Sequence, residues 1–156
     1  MKKVIFLLII AITCFTCKQE STKVLDVEEV QVTTENNLDG VWQLTSFYNY
    51  KDNVVVDTVM ANPENPQIKI FLDNKVMWSR KEPKGTEEYF GYGSYVTTDS
   101  TLVETLEFGS KLMLKVIDSS RVFSFELIKG NDTFTQIDIG PEGDRVFSEN
   151  YVKINE

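Results

Sequence analysis

The residue types that most enzymes use for catalysis are scarce in this sequence. It contains no histidine, and its two cysteines, Cys14 and Cys17, lie near the start of the chain. The rest of the chain therefore lacks the usual general base, the thiol nucleophile and the preferred ligands of transition metals. Carboxylates remain, since a hydrolase can act with two acids about 5 to 10 Å apart across a cleft. No spacing of acids resembles a calcium loop, so no metal site is predicted.

Glu104 is the carboxylate with the most unusual surroundings. It shares one face of a predicted strand with three apolar residues, Leu102, Leu106 and Phe108. If it points into a dry interior, its pKa is raised unless one of three polar side chains meets it: Arg80, Tyr92 or Tyr95. The other interpretation is an acid at a rim that faces water or satisfies a neighbour.

Turn residues divide the chain beyond residue 38 into short β-prone runs. The predicted strands are 41–50, 54–60, 67–72, 75–80, 89–97, 101–108, 121–129, 132–139 and 145–154. Several alternate as half-buried strands do, with Phe123, Phe125 and Leu127 on one face. The segment 106–119 fits a strand or a helix. Short turns between so many strands predict an all-β fold, an antiparallel up-and-down β-barrel of about eight or nine strands, because closure removes exposed edges.

The N-terminal stretch MKKVIFLLIIAITCFTC has the layout of an export signal. Two lysines precede nine apolar residues, too few to span a bilayer. The stretch resembles a bacterial lipoprotein signal, and Cys17 is the predicted lipid attachment site because polar sequence follows it directly; Cys14 is the alternative. The resemblance implies a signal peptide over residues 1–16 and a lipid anchor in the cell envelope, at the outer membrane; the other interpretation is an ordinary secretory signal. Residues 17–37 are polar and acidic with few large apolar residues, which predicts a flexible tether.

The net charge argues against two classes of partner. The net charge of the full sequence is −8. Removal of residues 1–16 takes away two lysines and so makes the remaining chain more negative still. Nucleic acids and anionic lipid surfaces both favour clustered Lys and Arg. We therefore expect contact with a membrane through the lipid anchor alone, and no nucleic acid.

The first strongly apolar run opens with Gly40-Val41-Trp42. With the run from Phe71 to Trp78, the run Gly91-Tyr92-Gly93-Ser94-Tyr95 and Glu104-Thr105-Leu106-Glu107, it resembles the lipocalin-like domains of bacterial envelope lipoproteins. The resemblance covers about residues 38–156 and implies an up-and-down barrel. It also implies that Trp42, following Gly40, closes the narrow end and packs against a basic residue near the last strand, here Arg145. It implies no activity.

Aromatic residues on the middle strands predict a ligand site, because small barrels hold apolar molecules between such side chains. The predicted ligand-binding residues are Trp78, Tyr92, Tyr95, Glu104, Phe123 and Phe125. Gly91 and Gly93 leave one strand face bare, which indicates either a bend in the strand or room for a ligand beneath Trp78.

Three functions are consistent with these features. The first is a non-catalytic protein that binds a small hydrophobic or amphipathic molecule and needs no cofactor. The second is an interaction module for another envelope protein, with a packed interior and no ligand. The third is a carbohydrate-acting enzyme that uses Glu104 and a second acid.

Overall fold

The computed structural model describes residues 38–84 and 86–154. The predicted signal peptide, Cys14, Cys17 and the tether lie outside these residues. The described residues form nine strands and one helix: β1 (Gly40–Lys51), β2 (Val54–Met60), β3 (Gln67–Leu72), β4 (Lys75–Arg80), β5 (Tyr89–Thr97), β6 (Thr101–Gly109), α1 (Lys111–Ser119), β7 (Val122–Lys129), β8 (Thr133–Ile139) and β9 (Arg145–Lys153). None of the helical segments within them is long and apolar enough to cross a membrane.

The strands form one antiparallel sheet that closes into a ring. From β3 to β9 each strand pairs with the next along the chain, and β1 pairs with β9 from Trp42 to Asn49. The other edge of β1 is shared, since Gly40–Gln43 pairs with β3 and Ser46–Lys51 pairs with β2. β2 and β3 thus follow each other along β1, and β2 extends beyond the ring. The predicted up-and-down barrel is confirmed.

Two tight hairpins set the register of the first strands. Asp52 and Asn53 join β1 to β2, and Asp73 and Asn74 join β3 to β4, all four with positive φ between 48° and 61°. Positive φ at both central residues defines the type I′ turn, whose twist matches that of paired strands, and Asn and Asp tolerate it. The second turn places Lys69 opposite Trp78, so both side chains point into the barrel.

The segment 106–119 divides into the end of β6 and the helix α1. Ser110 caps the helix, because its side chain accepts a hydrogen bond from the Met113 backbone N–H at 3.5 Å. Met113 and Ile117 are buried on the inner side of α1. They pack with Trp78 and Leu106, so the helix covers one side of the barrel near these two residues.

A bulge between β5 and β6 changes the direction of one predicted inward residue. Tyr92 pairs with Phe108 and Gly93 pairs with Leu106, which leaves Glu107 as an extra residue. Phe108 therefore does not share the inner face with Glu104, as was expected; it is 51% exposed and stacks on Tyr92 outside the barrel.

The two glycines of β5 have different roles. A Cβ on Gly93 would collide with the Thr105 carbonyl oxygen and lie 2.8 Å from the Leu106 Cα. Gly93 thus permits the close strand approach at the bulge, as the bending interpretation requires. A Cβ on Gly91 would lie 2.9 Å from the Trp78 ring, so the indole itself occupies the space above this bare backbone.

We predict that Gly93→Ala lowers the free energy of unfolding by about 1–3 kcal/mol, because backbone atoms cannot yield to the added methyl group. Ser94→Ala, at the next position of β5, is the control and is expected to change stability little. Urea unfolding followed by far-ultraviolet circular dichroism measures both. Equal stability of the two variants would show that the strands do not approach closely at Gly93.

Candidate functional site

The closed end of the barrel, here called the floor, is filled by aromatic rings that pack against one another. The Trp42 indole is buried, and its Nε1–H donates to the Leu38 carbonyl oxygen at 2.7 Å. Its ring meets Phe134 edge to face at 4.9 Å between centroids, and Phe134 stacks on Tyr151 at 4.7 Å. Trp42 therefore fills the floor of the barrel, as expected from its place at the start of the first strand.

The basic residue over Trp42 is Lys153, and the expectation for Arg145 was wrong. The Lys153 Nζ lies 5.4 Å from the centre of the indole ring. Because β9 runs antiparallel to β1, its last residues lie beside Trp42 and its first residue, Arg145, lies at the opposite end. There the Arg145 guanidinium pairs with the Glu126 carboxylate, and its backbone N–H donates to Asn53 at 2.8 Å.

A buried ion pair lies above the floor. The Lys69 Nζ is 2.8 Å from a Glu104 carboxylate oxygen, and the two residues are only 2% and 3% exposed. Lys69 also donates to Gln136 Oε1 at 2.6 Å and lies 5.5 Å from the centre of the Tyr151 ring. Glu104 thus points inward as predicted, but the partner that neutralises it is Lys69 rather than Arg80, Tyr92 or Tyr95.

Glu149 extends this network with neutral partners. Its carboxylate accepts hydrogen bonds from Tyr151 at 2.7 Å, Gln136 at 3.0 Å and Gln67 at 3.2 Å. Burial and the Glu149 charge together raise the pKa of the Tyr151 hydroxyl, which stays protonated and donates. Among the described residues, every buried side-chain nitrogen and oxygen has a hydrogen-bond partner. We call Gln67, Lys69, Glu104, Gln136, Glu149 and Tyr151 the polar layer.

A cavity of about 360 Å³ lies between the polar layer and the open end of the barrel. Its wall is apolar and mostly aromatic: Phe47, Trp78, Tyr89, Leu106, Met113, Val116, Phe123, Phe125 and Phe147. Phe47 and Phe147 stack at 5.5 Å between centroids on neighbouring strands. Five members of the polar layer, all except Tyr151, form the base of the cavity, so the cavity is amphipathic.

Two charged residues stand between the wall and the solvent. The Arg80 Nε lies 2.7 Å from a Glu82 oxygen, and its guanidinium lies 4.6 Å from the centre of the Tyr89 ring. Asp138 lines the cavity from β8. Burial raises the pKa of the Asp138 carboxyl, the Glu149 charge raises it further, and the Lys69 charge lowers it.

The cavity brings together four of the six predicted ligand-binding residues. Trp78, Glu104, Phe123 and Phe125 line it. Tyr95 is inward but lies in the floor, where its hydroxyl donates to Asp39 at 2.8 Å and burial raises its pKa. Tyr92 points outward and carries Lys75 over its ring at 5.7 Å. Neither tyrosine lines the cavity.

Sequence reasoning missed most of the polar layer and the aromatic pair Phe47 and Phe147. On β3, Gln67 and Lys69 share the buried face with Phe71, so two of its three inward positions are polar where apolar residues are usual. Ile68 is half-buried and Ile70 is exposed. The Asp73-Asn74 turn could have revealed this, because a two-residue hairpin puts Lys69 opposite Trp78. Among the described residues, no group of three or more Asp, Glu, His or Cys is arranged to hold a metal.

One solved structure supports the fold. The chain is similar to the crystal structure of a lipocalin-like protein from Bacteroides uniformis, with a TM-score of 0.50, 15% identity, and coverage of 76% of this chain and 99% of that one. It also matches an uncharacterized protein from Bacteroides eggerthii, with a TM-score of 0.47, 16% identity, and coverage of 75% and 99%. No protein-family model matches the sequence. No curated protein matches it.

We predict that Lys69→Met lowers the free energy of unfolding by about 3–5 kcal/mol, because it leaves Glu104 buried without a cation. The double variant Lys69→Met with Glu104→Leu is expected to recover most of this loss, since it removes both charges. Lys75→Met is the control, because Lys75 pairs with Glu107 on the exposed surface and such pairs contribute little. Urea unfolding at neutral pH measures all three. Equal losses for Lys69→Met and Lys75→Met would contradict a buried pair.

Proposed function

We propose that this lipocalin-like barrel binds one small amphipathic molecule in its cavity, without catalysing its conversion. The observation that carries the proposal is the combination of an aromatic wall, a polar base and a volume of about 360 Å³. Small-molecule sites are concave, mostly apolar and furnished with a few fixed polar groups, at volumes of roughly 300–1,000 Å³. An apolar body against the wall and a polar head on the base would satisfy both surfaces.

We propose that the protein is not a catalyst because the carboxylates Glu104 and Glu149 already have hydrogen-bond or ion-pair partners. A carbohydrate-acting enzyme needs two acids free to exchange a proton or attack the substrate. Glu104 is held by Lys69, and Glu149 accepts three hydrogen bonds from neutral donors. Of the three described carboxylates that line the cavity, Asp138 alone has no such partner, so the cavity does not offer two free acids.

A second candidate function is an interaction module for another envelope protein, and the strand β2 favours it. Among the described strands β2 pairs with β1 alone, and all seven of its residues are exposed. Val54 is 63% exposed and Met60 is 70% exposed. An apolar edge strand of this kind is suited to pair with another chain. The cavity favours the ligand-binding proposal, because a pure interaction module needs no space inside.

We further propose that the protein is anchored in the outer membrane through lipid on Cys17. The support is the order of the N-terminal sequence, in which a short apolar run leads to Cys17 and then to polar residues. More than one acyl chain is needed for lasting attachment, which a lipoprotein-type cysteine supplies.

The ligand proposal is tested by native mass spectrometry of the full chain purified from its own host. We expect bound mass on the wild-type protein and on Phe108→Ala, which alters an exposed aromatic residue outside the cavity. Phe147→Ala, which removes a ring from the wall, is expected to weaken binding by about tenfold. Repeatedly empty wild-type protein, with no thermal shift from fatty acids, alcohols or amines, would leave the interaction module as the better proposal.

The anchor is tested by two serine variants in the same host. Cys17→Ser is expected to abolish incorporation of labelled palmitate and to move the protein from the membrane fraction to the soluble fraction. Cys14→Ser is the matched control and is expected to behave as wild type. Loss of labelling in Cys14→Ser alone would assign the anchor to Cys14. Labelling of both variants would show that Cys17 is not the required site, and a wild-type protein without label would disprove the lipoprotein proposal.

A further inference from the structure

The charges that face the cavity are unequal. Three carboxylates line it, from Glu104, Asp138 and Glu149, but only two cations, Lys69 and Arg80. This excess of negative charge favours a cationic ligand head group over an anionic one, and the effect is strongest at the buried Glu104 and weaker at Asp138, which is exposed to solvent.

Both cations already have a carboxylate partner. Lys69 is 2.8 Å from Glu104 within the polar layer. Arg80 is 2.7 Å from Glu82, which is not among the residues that line the cavity. A ligand with a carboxylate head would therefore have to share a cation whose charge is already matched by a carboxylate.

The two remaining carboxylates, Asp138 and Glu149, are neighbours that form no ion pair among the described residues, although the Lys69 charge acts on Asp138 from a distance. Glu149 is bonded to neutral donors, and within residues 38–84 and 86–154 no hydrogen bond or ion pair engages the Asp138 side chain. Asp138 pairs with Phe147 across the ladder, and Glu149 is two residues further along β9. Diagonal neighbours of this kind lie about 7–8 Å apart, which leaves room for an ammonium group between them.

Aromatic rings border the same position. Phe147 stands opposite Asp138 and stacks on Phe47. An ammonium group that has lost water gains energy from the face of an aromatic ring as well as from a carboxylate. The position therefore offers a cation two kinds of attraction, from the carboxylates and from the aromatic rings.

We propose that the molecule bound in the cavity carries a protonated amine, held between Asp138 and Glu149, on an apolar or aromatic body that lies against the wall. This inference rests on the proposed ligand-binding function and narrows it to one chemical class, cationic amphiphiles. The raised pKa of Asp138 agrees with it. Burial and the Glu149 charge raise this pKa, and a cation bound between the two carboxylates would offset their repulsion.

The test compares three probes with one body and different heads: phenylbutylamine, phenylbutanol and phenylbutyrate. Isothermal titration calorimetry of the full chain in detergent at neutral pH measures each affinity. We expect the amine to bind about tenfold or more tightly than the alcohol, and the carboxylate to bind more weakly than both. Asp138→Asn and Glu149→Gln are each expected to lower amine affinity more than alcohol affinity, and so to narrow the difference between the two probes. Asp99→Asn, in the exposed turn at the floor end, is the matched control and is expected to change nothing.

The possible results distinguish failure of the amine site from failure of the ligand-binding proposal. Equal binding of amine and alcohol to the wild-type protein would overturn the amine site and leave the ligand-binding proposal standing. Tighter binding of phenylbutyrate would overturn it and indicate a head group near Arg80 or Lys69. No binding of any probe, together with empty protein from the host, would overturn both. The wild-type comparison needs no variant, so it decides the question even if a substitution impairs folding.

Discussion

The buried ion pair between Lys69 and Glu104 is the interaction on which the barrel interior depends. Neither charge tolerates burial alone, so each requires the other and the amide of Gln136 to remain in the interior. The pair lies directly above the aromatic floor and below the cavity. It therefore divides the inside of the barrel into an apolar part that seals one end and an amphipathic part that opens at the other. The buried side chains of the polar layer provide a fixed hydrogen-bonding base for whatever enters.

This division follows from how the ring of strands is closed. β1 pairs along one edge with β9, and its other edge is shared by β3 near the floor and β2 near the mouth. Close contact of strands at the floor holds Trp42 among other rings, while at the mouth β2 extends outward and contributes nothing to the core. The cavity consequently has access from one side, and helix α1 narrows that access. A ligand with an apolar body and a polar or charged head fits a cavity that has an apolar wall and a polar base.

The strand order and most boundaries could be predicted from the sequence, because turn residues and alternation are local signals. The side chains that give the site its character could not. Lys69 occupies an inward position that alternation assigns to an apolar residue, and only the register opposite Trp78 reveals it. Alternation along β6 assigns the Phe108 side chain to the inner face, but a bulge turns that side chain outward. Arg145 and Lys153 are both basic residues of the last strand, and only the antiparallel pairing with β1 decides which one reaches Trp42. Such errors come from non-local pairing, which composition and spacing do not encode.

The chain has two tryptophans, one in each part of the interior, and their signals test the division directly. In nitrogen–proton correlation spectra each indole N–H gives its own peak, and a titration with phenylbutylamine reports on both. We predict that the Trp78 peak shifts with ligand concentration, while the Trp42 peak, whose N–H is bonded to Leu38 beneath the polar layer, stays in place and exchanges slowly with solvent. A shift of the Trp42 peak, or rapid exchange of its proton, would contradict a sealed floor separated from a ligand cavity.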